Sequence, residues 1–146
     1  MNPDAFGSTA APCLLRFAFD PRFRLLLAAI GVRPTTSGVV VGADGLDVRF
    51  GPWRVRTPLA NLLPAEVTGP YRAARSVGPR LSLADRGLTF GTGAGRGACV
   101  RFHEPVTGIE PFGTVRHPAL TMTLAEPELF VHCLTRFHED GDRSRS

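Results

Sequence analysis

Between Leu46 and Leu63 the chain reads LDVRFGPWRVRTPLANLL, with apolar and charged residues alternating on either side of Gly51-Pro52. A two-residue turn there sets Phe50 opposite Trp53, Arg49 opposite Arg54, Val48 opposite Val55 and Asp47 opposite Arg56, because directly opposed residues share a face of an antiparallel pair. One face is then Val48, Phe50, Trp53 and Val55, and the other is Asp47, Arg49, Arg54 and Arg56. Apolar inside and charged outside is the pattern of a half-buried antiparallel sheet.

Short apolar runs punctuated by Gly and Pro predict further strands at Cys13 to Phe19, Gly38 to Val41, Ala65 to Thr68, Leu81 to Leu83, Leu88 to Phe90, Ala98 to His103 and His117 to Leu124. Ala43-Asp44-Gly45 and Asp85-Arg86-Gly87 suit tight turns. Gly69-Pro70 should end the strand before it, residues 71–77 form a helical turn or a loop, and Pro105 to Gly113 is irregular.

Two stretches carry a helical period instead. Asp20-Pro21 supplies an N-cap with Pro at the first helical position, Gly31 supplies a stop, and Phe23, Leu26, Leu27 and Ile30 fall on one face. A surface-seeking membrane helix and a helix closing one mouth of a barrel both fit, and the second is favoured. Glu126-Pro127-Glu128 begins the other helix, in which Phe130, Cys133, Leu134 and Phe137 share a face that needs a partner surface. Residues 1–11 and the charged tail 139–146 are expected to be disordered, leaving 12–138 as one domain.

A chain of 146 residues with 43% hydrophobic composition can build one ordinary core, and 16 Gly with 13 Pro argue for strands over a helical bundle. The expected class is therefore mainly β, a β-rich α+β fold: an antiparallel barrel or bent sheet closed by a C-terminal helix, with a short amphipathic helix near the N-terminus. Every one of the 17 basic residues is Arg. From Pro12 to Arg101, 13 Arg stand against 5 acids, whereas from Phe102 onward 4 Arg stand against 7 acids. Positive potential thus belongs to the strand region, where it can attract phosphate-bearing or acidic partners.

Cys13, Cys99 and Cys133 form no CxxC pair, and an odd count without a secretory signal predicts free thiols in a reducing cytoplasm. The longest apolar run, Leu25 to Val32, is far short of the ~20 residues that span a bilayer. The expected location is cytoplasmic, with peripheral attachment at the inner membrane face as an extension.

The hairpin at Gly45-Leu46, the turn at Gly51, Thr57-Pro58-Leu59 and Asn61-Leu62-Leu63, together with the C-terminal helix, resemble bacterial pleckstrin-homology-like domains. That resemblance covers residues 38–68 and the last helix. It implies a PH-like barrel that binds phosphorylated lipid headgroups, peptides or partner domains. The whole chain also resembles actinobacterial proteins of unassigned function sharing FDPRF, RFGPWRVRTPLAN, LADRGLTF and RHPALT. Fold alone carries no activity, so function has to be argued from sites.

The main candidate is an anion or partner site on Arg49, Arg54 and Arg56, extended by Arg72 and Arg75. Opposed Arg49 and Arg54 are like charges at cross-strand range, relieved by an anion or by Asp47 acting through Arg56. The glycine run 91–97 lacks the GK[ST] ending and leads into a strand, so a hairpin loop is favoured over a phosphate loop. Cys99, Arg101 and His103 alternate along one strand, yet they and His117, His132, His138 and Cys133 match no metal-ligand spacing. Ser82, Asp85 and His103 make a triad only on paper, without a GxSxG elbow. Trp53 belongs to the apolar face, so single-stranded nucleic acid is not expected as a partner.

The expectation is a non-catalytic binding or scaffolding module, without cofactor or metal, that engages an anionic phospholipid headgroup or an acidic protein segment. The alternative is a small-molecule binder or enzyme using a barrel cavity or the rim near the glycine run. An assembly component with an exposed apolar patch is the third class.

Overall fold

The hairpin bent at Gly51-Pro52 forms with the register its alternation requires. β3 (Gly45–Phe50) and β4 (Trp53–Thr57) pair Phe50 with Trp53, Arg49 with Arg54, Val48 with Val55 and Asp47 with Arg56. Gly51 takes φ 58°, and a β-carbon on it would sit 2.6 Å from the Gly31 carbonyl oxygen, so only glycine fits this turn. The computed structural model describes residues 11–71, 77–81, 87–92, 95–108 and 115–145.

β1 (Cys13–Leu15) and β2 (Ser37–Gly42) complete a four-stranded antiparallel meander in the order β1-β2-β3-β4. The second sheet contains β5 (Glu66–Tyr71), β6 (Val77–Leu81), β7 (Leu88–Thr92), β8 (Gly95–Thr107) and β9 (Arg116–Thr123) in the order β5-β8-β9-β7-β6. Its β7–β9 pair is parallel. Between β1 and β2 lies the short helix α1 (Arg24–Ala29), and α2 (Pro127–Arg145) closes the chain.

The core fills the space between the sheets. Val39, Val41, Val48, Phe50 and Val55 point inward from the first sheet to meet Phe90, Val100, Leu120 and Met122 from the second. The α2 face carrying Phe130, Cys133, Leu134 and Phe137 is buried, as its period requires. The fold is β-rich, with two sheets and a C-terminal helix.

Several expectations are corrected. The described strands do not form a closed barrel: no strand of the first sheet pairs with one of the second, and the chain beyond β1 and beyond β4 reaches the second sheet through the isolated bridges Phe17–Leu124 and Leu62–Phe102. Gly69-Pro70 does not end β5. The strand passes through it with a shift of register between Thr68 and Tyr71, an irregularity that tolerates a missing N–H. The glycine run is not the loop of a hairpin, since β9 separates β7 from β8 and Gly91, Gly95 and Gly97 lie in strands. β8 runs on through Pro105 to Thr107. The helix expected to end near His138 continues to Arg145, with an Arg143–Asp140 ion pair in its last turn. Residues 72–76, 82–86, 93–94 and 109–114, and hence Ser82, Asp85 and most of the loops predicted at 71–77 and 105–113, lie outside the described residues, as do 1–10 of the N-terminal segment and residue 146 of the tail.

The cysteines differ most. Cys13 on β1 and Cys133 on α2 form a disulfide with their Cα atoms 6.5 Å apart, and Cys99 is the free thiol. The expectation of three free thiols is therefore overturned: the fold brings residues from both ends of the chain together. Disulfides persist in oxidising surroundings, so cysteine usage no longer argues for a reducing cytoplasm.

Candidate functional site

The outer face of the first sheet gathers the predicted arginines. Residues at odd offsets from the core positions, Leu14, Val40, Asp47 and Arg56, lie in one cross-strand row, and Gly38, Arg49 and Arg54 lie in the next. Arg49, Arg54 and Arg56 are all exposed. Arg72 and Arg75 lie outside the described residues.

Asp47 is the only acid in those two rows, and its partner differs from the expected Arg56. Arg54 grips it with two hydrogen bonds, Nε to Oδ1 at 3.0 Å and Nη2 to Oδ2 at 2.7 Å. The contact is diagonal across the ladder, within reach of a long side chain, and the flat guanidinium fork matches both carboxylate oxygens. These bonds hold the Asp47 carboxyl below its ordinary range, with smaller pulls from the charges of Arg54, Arg56 and Arg49 acting against partial burial. The same bonds push the Arg54 guanidinium up. Arg49 and Arg56 have no ion pair among the described residues, so three guanidinium groups face one carboxylate.

Shape adds to charge. Gly38 contributes no side chain, and a β-carbon there would approach only the Leu15 carbonyl oxygen, at 3.7 Å. The gap opens a concavity of about 300 Å³ bordered by Leu14, Thr36, Val40, Arg49 and Arg54. A second, about 660 Å³, lies across Asp47 toward Arg56, Asp44 and Pro58. Both are open clefts on the sheet surface, suited to a small anionic group that keeps part of its hydration.

The floor of the cleft is fixed by hydrogen bonds. Thr36 Oγ1 donates to the Gly31 carbonyl at 2.8 Å and accepts from the Arg33 N–H at 3.0 Å, while Ser37 Oγ accepts from the Gly51 N–H at 3.2 Å. The arginine hairpin, the start of β2 and the end of α1 are thereby tied at one end of the molecule.

Other candidates are dispersed. Arg101 and His103 are exposed on β8, Cys99 is half-buried, and His117 is enclosed in the core, so they converge on no pocket. No group of three or more metal-ligating side chains occurs among the described residues. Trp53 is half-buried against Phe50, with ring centroids 6.3 Å apart, as its place on the apolar face requires. No helix among the described residues is long and apolar enough to cross a membrane.

The alternation of the hairpin identified Arg49, Arg54 and Arg56, but not Leu14 or Gly38. Leu14 stands in CLLRFAF, where neighbours on both sides are apolar, and its outward direction follows only from pairing with Val40. It is 74% exposed. No family model matches the chain, and neither a curated protein nor a solved structure matches it.

Proposed function

We propose that the protein is a non-catalytic binding module that holds an anionic group on the outer face of its first sheet, over Arg49, Arg54 and Arg56. The observation that carries this is the uncompensated charge beside the Gly38 cleft: among the described residues of those two rows the one carboxylate, Asp47, is already held by Arg54. A phosphate or carboxylate seated there accepts charge-assisted hydrogen bonds from Arg49 and relieves the repulsion between opposed guanidinium groups. A PH-like architecture belongs to the same proposal. Its support is the four-stranded meander followed by a second sheet and a C-terminal helix, although the parallel β7–β9 pair is an addition to that plan.

Inositol hexakisphosphate is a suitable soluble probe, followed by calorimetry. Arg49→Glu with Arg54→Glu is expected to weaken its binding roughly a hundredfold, since two charge-assisted contacts become repulsive. Wild-type protein that ignores the probe, or a variant that binds equally well, would refute the site. Asp47→Asn tests the same face in the opposite direction. It removes the competing carboxylate and releases Arg54, and a gain in affinity of about threefold or more is expected; a loss would mean that Asp47 positions Arg54 instead of competing for it.

A small molecule held between the sheets is the weaker reading. Phe50, Phe90, Phe130 and Met122 occupy that space.

A further inference from the structure

The apolar side of α1 does not close the molecule. Leu27 and Val32 are fully buried and pin the helix to the core, with Phe23 half-buried beside them, but the remaining apolar side chains turn away. Leu25 is 88% exposed, Leu26 59% and Ile30 40%. The expected stripe of Phe23, Leu26, Leu27 and Ile30 therefore splits, one half anchoring the helix and the other half standing in solvent. Single exposed leucines are commonplace; three large apolar side chains within one six-residue helix and its cap form a ridge.

The surroundings of the ridge are cationic. Arg22, Arg24 and Arg33 are exposed on either side of it. Arg22 is held by Asp20 and lies over the Phe23 ring at 5.4 Å, whereas Arg24 and Arg33 have no ion pair among the described residues. Arg24, Leu25 and Arg33 border a concavity of about 390 Å³ that shares Thr35 with the Gly38 cleft. The hairpin tip is packed on the same end, where a β-carbon on Gly31 would lie 3.3 Å from the Pro52 ring. Leu25, Leu26, Arg24, Arg33, Arg49 and Arg54 are thus grouped at one end of the fold, and among the described residues Asp20 and Asp47 are each engaged by an arginine there.

We infer that this end is a membrane-docking edge: Leu25, Leu26 and Ile30 enter the interfacial layer of an anionic lipid bilayer while the surrounding arginines meet lipid phosphates. The inference rests on the anion site proposed above and names the source of its anion. Charge complementarity selects the occupant, because a ridge of leucines among unpaired guanidinium groups matches a surface that is negative at headgroup depth and apolar just below. Size points the same way. Three protruding side chains are a small patch, whereas a stable protein partner covers about 800 Å² of each surface.

The test uses vesicles of phosphatidylglycerol mixed with phosphatidylcholine, and vesicles of phosphatidylcholine alone. Wild-type protein is expected to sediment with the first and not the second. Leu25→Ser with Leu26→Ser, substitutions at exposed positions that leave Leu27 and Val32 in place, should cut partition about tenfold or more while preserving circular dichroism and inositol hexakisphosphate binding. Unchanged partition of that variant overturns the inference, as does wild-type protein that binds the soluble probe but no vesicle; in both cases the anion site stands. Vesicle binding that survives Arg49→Glu with Arg54→Glu also overturns the inference, because the arginines of the anion site would then meet no lipid phosphate; the anion site itself is judged separately, by whether the same variant loses inositol hexakisphosphate. A doubling of mass in light scattering that Leu25→Ser with Leu26→Ser abolishes would make the ridge a contact between two copies, against a lipid partner.

Discussion

Phe50→Ala is expected to cost about 3–5 kcal/mol of unfolding free energy, the range for a fully buried phenyl group whose site cannot collapse. Phe50 is wholly buried at the meeting of the two sheets. Its ring stacks on Phe90 of β7 with centroids 4.7 Å apart and planes 7° from parallel, and it meets Phe17 at 5.1 Å. Phe17 also forms the bridge to Leu124, so the cluster gathers β3, β7, the chain after β1 and the end of β9 around one side chain. Each of those neighbours is fixed by backbone hydrogen bonds, so the cavity left by truncation stays open. Because a domain of this size holds only about 5–15 kcal/mol in total, the variant should lose much of its stability. Urea unfolding followed by Trp53 fluorescence gives the measurement. Phe50→Leu, which retains most of the volume, should lose far less. A truncated protein within about 1 kcal/mol of wild type would contradict the two-sheet core. The anion site depends on this packing at one remove, since Arg49 precedes Phe50 and takes its outward direction from it.

The parts of the fold legible in the sequence are those set by neighbours along the chain. Gly51-Pro52 fixes a turn, alternation fixes the faces, and the register of four residue pairs follows; the buried face of α2 follows similarly from a 3.6-residue period. Failures begin where pairing is long-range. Nothing local in LTFGT or RHPALTMT announces that β7 and β9 lie parallel, and the strand between glycines that resembled a hairpin arm pairs with β9 instead. Periodicity also shows that a helix has an apolar side without showing what covers it. α1 illustrates this, because Leu27 finds the core and Leu26, its neighbour, does not. For the site, the direction of Arg49, Arg54 and Arg56 was legible, while the pairing of Asp47 with Arg54 was not: directly opposed residues are inferred from register, but a long side chain chooses the diagonal when the fork fits. The cleft over Gly38 required knowing which residues flank it.

Removing the disulfide is expected to lower stability by about 3–5 kcal/mol, close to the loss for Phe50 and by a different physical route. Cys13 and Cys133 are 120 residues apart in sequence, so the cross-link closes a loop embracing nearly the whole domain and restricts the unfolded chain strongly. The chain-entropy model gives about 4–5 kcal/mol for a loop of this length, an upper value because unfolded chains retain some compactness. The native contacts do not depend on the bond alone. Phe130, Leu134 and Phe137 still seat α2 on the core, so Cys13→Ser with Cys133→Ser should fold and unfold cooperatively at a lower urea midpoint. Alkylation provides an independent check: the denatured, unreduced chain should take one alkyl group, on Cys99, and the reduced chain three. A double variant with the wild-type midpoint, or three reactive thiols before reduction, would contradict the bond. If it holds, the link anchors β1 at the edge of the first sheet, and with it Leu14 beside the Gly38 cleft. Reduction should then loosen one wall of the anion site before the arginine hairpin itself is disturbed, since β3 and β4 keep their own ladder without β1.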